Sequence, residues 1–280
     1  MRAVLQGLRQ RFHPLHHARK SALGRFVLRS ADRPVWISVP SVRFRVRGQL
    51  LTHGLAYGSI GSQERNPEAL ALCCLREFKF RSFWDVGANF GYYSWLLKSA
   101  SPDLQVVLIE PLPANIRLVR ATIQKNQFRD VTLIEAGASG TSGEGVLHAD
   151  ELGGATSSLN DEETFEQRHF GVAPKSVRVP LVTIDSLRAQ HDPVNFMKID
   201  VEGHEASALQ GAAETIRRDQ PVLFIECGHA EHACLRGIPQ TFSAFRHACM
   251  IPLKRSCVWL GFHRAAQAPE GAQIYIMGFR

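Results

Sequence analysis

One stretch, Ser82-Phe83-Trp84-Asp85-Val86-Gly87-Ala88-Asn89-Phe90-Gly91-Tyr92-Tyr93, limits what this chain can fold into more than any other. It reads as a short buried strand, a glycine-rich turn and the start of a helix. The apolar residues up to Val86 suit a parallel strand covered on both faces. From Tyr92 to Lys98 the spacing turns helical, with Tyr92, Trp95 and Leu96 on one side. The turn therefore falls at the carboxyl end of a strand, where open α/β sheets bind ligands. Gly87 and Gly91 lack the Cβ atoms that would keep backbone away from a ligand, and Asp85 sets a carboxylate at the strand tip.

That carboxylate separates two ligand classes. A dinucleotide site uses Gly-x-Gly-x-x-Gly and aims a helix N-terminus at pyrophosphate, which a carboxylate in the turn would repel. Here the pattern is Asp-x-Gly-x-Asn-x-Gly. It suits a cofactor with positive charge and no phosphate, as S-adenosylmethionine is with its ammonium and sulfonium. A second β-rich run, Gln105 to Ile109, ends in Glu110-Pro111 and sets another acid at a strand tip, where such folds bind ribose hydroxyls.

The chain continues as strand followed by helix. Pro113 to Lys125 predicts a helix with Ile116, Val119, Arg120 and Ile123 facing inward, and Val131 to Ala136 a strand ending in the turn Gly137-Ala138-Ser139 beside the adenine. Residues 141–171 are rich in Gly, Ser, Thr and charge, and read as a substrate loop or lid. Val177 to Leu181 resumes an extended run, Thr183-Ile184-Asp185 opens a short helix, and Phe196 to Ile199 predicts an inner strand.

Beyond that strand, Lys198-Ile199-Asp200-Val201-Glu202-Gly203-His204-Glu205 concentrates ionisable groups before a helix running to Arg217. Asp200 suits orientation of the cofactor's methionyl end or of a substrate hydroxyl. His204 titrates near neutrality as a general base would, and Glu202 or Glu205 suits fixing its tautomer. The alternative is structural: acids at a helix N-terminus offset the macrodipole, and Lys198 pairs with Asp200. A divalent-metal site needs converging oxygen ligands that one short segment does not establish, so none is assigned.

Charge is divided unevenly. Residues 1–50 hold eleven Lys or Arg against the single acid Asp32, whereas the remaining residues carry 22 basic groups against 25 acidic ones. The basic groups from Arg2 to Arg29 alternate with Leu and Phe, which suits an anionic membrane surface, an acidic partner, nucleic acid or a solvated arm. Nucleic acid is disfavoured, because no Asn-Pro-Pro-aromatic segment and no aromatic platform beside the arginines is present. Val35 to Val39 and the alternating Val42, Phe44 and Val46, joined at Pro40-Ser41, predict a hairpin with a basic outer face. Six cysteines without a Cys-x-x-Cys pair read as buried free thiols. With no run near the length of a membrane span and no secretion-like stretch, a cytoplasmic protein is expected.

Taken together, the Asp85 to Tyr93 motif, Glu110-Pro111 with Asn115, Ala138-Ser139, Ser157-Ser158-Leu159, Val182 to Leu187, Lys198 to Glu205, Gly211-Ala212 and Pro221 to Glu226 resemble the FkbM-type S-adenosylmethionine-dependent methyltransferases. The resemblance implies an α/β, Rossmann-like methyltransferase fold: a mainly parallel seven-stranded sheet flanked by helices, with an antiparallel strand near its end. A basic N-terminal extension over residues 1–65 would precede a methyltransferase domain over residues 66–280. It implies S-adenosylmethionine as cofactor, held by Asp85, Gly87, Asn89, Gly91, Glu110 and Ala138. It further implies methyl transfer to an oxygen of a sugar, glycan or natural-product acceptor, for which the ionisable cluster itself offers Lys198, Asp200, Glu202 and His204 as the candidate catalytic set. The rivals are a nucleic-acid methyltransferase and a non-catalytic binding or scaffold protein on the same fold.

Overall fold

The computed structural model describes residues 21–57, 71–72, 75–76, 78–149, 157–159, 167, 173–228, 247–252 and 256–262. The expectations for the arm before residue 21, for most of the loop after residue 149 and for the six cysteine side chains lie outside the described residues.

The central sheet is built from strands with strictly alternating side chains. In β3 (Ser82–Val86), Phe83 joins one apolar layer while Trp84 and Val86 join the other. In β4 (Gln105–Ile109), Val106 and Leu108 face the first layer, and Val107 and Ile109 the second. The same division holds in β9 (Phe196–Ile199) and β10 (Val222–Gly228), where Phe196 and Phe224 oppose Met197, Ile199, Leu223 and Ile225. A two-residue side-chain period with both faces apolar requires cover on both sides, which only crossover helices supply to a parallel sheet. The order is β11-β12-β10-β9-β3-β4-β5. The run from β10 to β5 (Val131–Ile134) is parallel, and β12 (Ser256–Phe262) and β11 (His247–Pro252) extend it antiparallel. From β3 the chain builds outward through β4 and β5, then returns to β9 and β10 on the other side, so the order reverses between β3 and β9.

The helix after the glycine turn, α3 (Tyr92–Ala100), is buried from Tyr92 through Ser99, so the expected single apolar side is replaced by burial all round. The N-terminal segment supplies the second cover. Ile37, Val39 and Val46 share a core layer with Phe83, Trp95 and Val106, and the Phe44 ring meets Trp95 at 6.3 Å and Phe128 at 5.0 Å. A hairpin forms there, but its strands are β1 (Pro34–Ile37) and β2 (Val46–Gln49) rather than residues 35–39 and 42–46. Both the intervening backbone and β2 reach helix side chains: Arg43 N–H donates to Ser99 Oγ at 2.8 Å, and Arg47 N–H of β2 to Thr122 Oγ1 at 2.9 Å. After β2, Asp32 accepts from the backbone of Leu51 and Thr52 and caps α2 (Thr52–Tyr57).

Four further expectations are corrected. In α4 (Pro113–Asn126) the inward residues are Asn115, Ile116, Leu118, Val119 and Thr122, while Arg120 points outward and pairs with Glu135. The strand β5 stops at Ile134, because Gly137–Ala138 (β6) leaves the main sheet to pair with Leu181 and Val182 of β8 (Lys175–Val182). The start of the expected loop is a seven-residue strand, β7 (Gly143–Ala149), antiparallel to β8. Only Leu147 and Ala149 of β7 are buried, so the strand carries too little apolar alternation to be read from sequence. The expected helix to Arg217 breaks into α6 (Glu205–Gln210) and α7 (Ala213–Asp219). Gly211 packs so closely on the Ser139 carbonyl that a Cβ would overlap it, and Asp185, in α5 (Ile184–Arg188), accepts from Glu214 N–H at 3.2 Å and Thr215 N–H at 2.7 Å to start the new helix.

Gly211→Ala is expected to lower stability by about 1–3 kcal/mol, since the obstructing atom is backbone and cannot swing away. Urea unfolding of the variant beside the wild type measures it; an unchanged midpoint would show that the contact relaxes without cost.

Candidate active site

The reversal of strand order leaves a cleft at the carboxyl ends of β3, β4 and β9, with about 570 Å³ of space including the part open to solvent. Glu110, with Asn89 bonded to it, lines the β4 side of Gly87, Asp200, Val201 and Glu202 follow β9 on the other side, and Gly137, Ala138 and Leu147 complete the lining. Ser157 and Leu159 close over it. They are held there by a β-bridge between Ser158 and His148 and by the bond from Ser158 Oγ to the Glu202 carbonyl at 2.7 Å.

Gly87 sits between these two sides with φ at +76°, and a Cβ there would overlap the Asp200 carbonyl, so glycine lets the two strand tips meet. Asn89 also has positive φ, at +54°. This conformation aims its N–H at Glu110 Oε2, 2.7 Å away. Glu110 Oε1 accepts from Leu112 N–H at 2.9 Å and Asn115 Nδ2 at 3.3 Å. Burial pushes the Glu110 carboxyl up to about 7, against the pull of those donors. A carboxylate takes up to about four donors, which leaves capacity for one more in the cleft.

Two residues expected to touch a cofactor do not line the cleft. Gly91, with φ at +87°, is a turn residue whose Cβ would come within 2.6 Å of Trp95 Nε1, and the Trp95 indole donates to the Phe90 carbonyl at 2.6 Å. Asp85 is 1 % exposed and lies beneath the cleft rather than in its wall. Its Oδ2 accepts from Ser94 N–H at 3.2 Å and Ser94 Oγ at 2.6 Å, and its Oδ1 lies 3.8 Å from Lys198 Nζ without a hydrogen bond. Burial raises the Asp85 carboxyl above its ordinary value, with Lys198 and Ser94 opposing.

Across the sheet, Lys198 is buried, donates to Asp200 Oδ2 at 2.9 Å and lies 5.1 Å from the centre of the Tyr93 ring. Burial lowers its pKa, but Asp200 and Asp85 more than reverse this, so Lys198 stays charged. Asp200 is the member of the pair that reaches the cleft. Glu202, with φ at +50°, also lines it, as the corner of a tight turn that the buried Glu205 holds by accepting from Val201 N–H and Gly203 N–H, each at 3.1 Å. His204 is not in the wall. Its Nε2 lies 3.2 Å from Ser139 Oγ, which lies 3.1 Å from Ser207 Oγ, and burial lowers its pKa. The structure thus brings Gly87, Asn89, Glu110, Ala138, Asp200 and Glu202 to one cleft, and sets Asp85, Gly91, Lys198 and His204 behind it. Among the described residues no group of three His, Cys, Asp or Glu is arranged to hold a metal ion.

Two supporting residues escape a reading of the sequence. Ser94 holds Asp85 and carries no signal beyond its place in the first turn of α3. His53 comes from the N-terminal segment. Fully buried, it stacks on Phe90 with centroids 4.1 Å apart, and its Nδ1 accepts from Gln49 N–H at 2.9 Å. Burial lowers its pKa to about 4, so the ring is neutral and its proton sits on Nε2. That atom and Asn89 Oδ1 both lack a hydrogen-bond partner, and the Asn89 side chain is among the groups acting on the imidazole. No spacing links position 53 to the glycine turn, so only the fold reveals the contact.

The profile of the methyltransferase FkbM domain matches residues 85–247, and the chain belongs to that family. It is similar in structure to methyltransferase FkbM from Methylobacillus flagellatus, with 18% identity and a TM-score of 0.46 over 65% of this chain and 43% of that one. It is also similar to a precorrin-6y C5,15-methyltransferase from Geobacter metallireducens, at 9% identity and TM-score 0.44 over 72% of this chain and 94% of that one. An O-methyltransferase from Bacillus cereus in complex with S-adenosylhomocysteine shares 12% identity at TM-score 0.43, over 73% and 84% of the two chains. Comparison with curated proteins finds no match.

Two stability effects follow from the buried charges. Asp85→Ala strands Ser94 and removes one of the carboxylates around Lys198, and is expected to cost about 3–5 kcal/mol in chemical denaturation; a loss under about 1 kcal/mol would show that Asp200 suffices for the lysine. Glu110 has a folded pKa of about 7 against 4.5 unfolded, so its protonated form stabilises the ligand-free fold. That contribution is complete below pH 4.5 and is lost as pH rises through 7, amounting to about 3 kcal/mol over the full range. Stability curves across that window are expected to flatten in Glu110→Gln, and identical slopes for both proteins would refute the assignment.

Proposed function

We propose that the protein is an S-adenosylmethionine-dependent O-methyltransferase acting on a hydroxyl of a sugar, glycan or natural-product acceptor. The observation that carries the reading is that Glu110 and Asp200 line one cleft from the strands on either side of β3, with the Cβ-less Gly87 between them. The residues fit the cofactor: Glu110 keeps acceptor capacity for a ribose hydroxyl, Gly87 lets backbone approach, and Ala138 offers a small apolar contact for the adenine. When bound, S-adenosylmethionine would supply an electrophilic methyl on its sulfonium for an acceptor oxygen to attack, the sulfur leaving as the neutral thioether of S-adenosylhomocysteine.

The chain's own residues would align the two reactants and receive a proton. Alignment alone can supply roughly 7–11 kcal/mol of barrier lowering. Asp200, tied at Oδ2 to the Lys198 ammonium, keeps lone pairs for the acceptor hydroxyl and takes its proton as the new O–C bond forms. Lys198 positions Asp200, and Asp85 positions Lys198 in turn. Glu202 shapes the acceptor side, while His204, held near Ser139 and kept neutral by burial, orients that wall. A cytoplasmic location goes with this reading.

A ribose hydroxyl donates to the ionised form of Glu110, so binding and proton release are linked. Calorimetry with S-adenosylhomocysteine is expected to show affinity rising about tenfold from pH 6 to pH 8, with the dependence lost in Glu110→Gln. A folded protein that binds no cofactor analogue at either pH would bring the scaffold reading forward. With labelled S-adenosylmethionine and a panel of glycan and polyketide acceptors, Asp200→Asn is expected to lower kcat about 10²–10⁴-fold with cofactor affinity little changed. Equal loss of binding and turnover would move Asp200 from proton acceptor to cofactor ligand.

A further inference from the structure

The first described helix, α1 (Ala22–Ala31), is turned the wrong way for a helix packed on a water-soluble body. It is well formed: Ser21 Oγ accepts from Gly24 N–H at 3.0 Å at its start, and Asp32 N–H closes its end on the Leu28 carbonyl at 2.8 Å. Leu28 is its one buried residue. The stripe formed by Leu23, Phe26 and Val27, at i, i+3 and i+4, faces solvent at 74%, 65% and 55% exposure. Among the described residues only two other large apolar side chains are exposed, Leu50 and Val146, at 39% and 42%. Among the described residues the apolar exposure is therefore concentrated on one helix face.

Charge identifies the occupant. Arg25 and Arg29 lie on the same helix, and residues 1–50 carry eleven Lys or Arg against Asp32. A second copy of the chain would bring two such segments together against like-charge repulsion. A polyanion such as nucleic acid would answer the net positive charge of the segment and leave Phe26 and its neighbours in water. An anionic bilayer answers both features, with acyl chains for the stripe and headgroups for the cations. We propose that α1 lies in the headgroup region of an anionic lipid bilayer, with Leu23, Phe26 and Val27 inserted and the surrounding basic residues on the lipid phosphates.

Docking there leaves the cleft intact, because α1 contributes nothing to it. The helix joins the body through Asp32, which follows its last turn and caps α2, the helix that carries His53. The bilayer would thus hold the enzyme by a segment two short steps from the glycine turn, at no cost to the catalytic walls.

The test is sedimentation of the full chain with phosphatidylcholine vesicles, with and without phosphatidylglycerol. Binding only to the anionic vesicles, weakened by salt and reduced about tenfold or more in Phe26→Glu and in Leu23→Ser, supports the proposal provided circular dichroism and S-adenosylhomocysteine affinity match the wild type. Vesicle binding that both variants retain would assign it to charge alone and overturn the role of the stripe. Absence of wild-type binding to anionic vesicles would overturn the proposal outright. So would a wild-type dimer in analytical ultracentrifugation that Phe26→Glu converts to monomer, because a second copy would then own the face.

Discussion

The active end of this fold depends on one buried ammonium. Lys198 is enclosed by the sheet, by Tyr93 and by the carboxylates of Asp85 and Asp200, and a charge so placed is tolerable only while those partners stay in position. The register of β3 on β9 sets Asp85 directly opposite Lys198, and a slip of one residue would turn the lysine into the apolar layer of Met197 and Ile199. The requirement therefore locks the two strands whose tips form the cleft. With register fixed, the Asp200 N–H bonds to the Val86 carbonyl at 3.0 Å, and the Asp200 carbonyl comes to rest where only glycine fits at position 87. Gly87 and Asp200 are 113 residues apart by number, yet this contact joins the turns that carry them.

Conformational strain is gathered at the same place. Of the ten described residues with positive φ, five lie on the two cleft turns: Gly87, Asn89, Gly91, Glu202 and Gly203. Asn89 and Glu202 hold this conformation without the freedom of glycine, which is tolerated where surrounding bonds over-determine it. Asn89 is tied to Glu110, and the turn at Glu202 to Ser158 and Glu205. Each strained residue presents its neighbours to the cleft, so the walls are shaped before any ligand arrives.

What could be read from sequence was what a strong local pattern enforces. The run before Gly87, the Gln105–Ile109 strand and the Phe196–Ile199 strand are apolar on both faces, and their tips carry the acids that mark a ligand-binding end. The alternation in β7 was too weak, since only two of its side chains are buried, and the break at Gly211 depends on a carbonyl 72 residues away. Spacing put Asp85 and Lys198 at strand tips but did not say which atoms face the cleft. That is decided by the side of the sheet on which each lies, and both lie on the α3 side, against Ser94 and Tyr93.

The segment ahead of the family match at residue 85 is part of the same structure. Without β1, β2 and the strip between them, Trp95 and Phe128 would lose the cover of Phe44, and the hydroxyls of Ser99 and Thr122 would lose the N–H groups they accept. Phe90, which shares the glycine turn with Asn89, would lose the stacked ring of His53. A helix buried on every side cannot be stable with one side open, because its outer face is as apolar as its inner one. The apolar layer around α3 therefore reaches back to β1, and the glycine turn packs at Phe90 against the segment that precedes the family match.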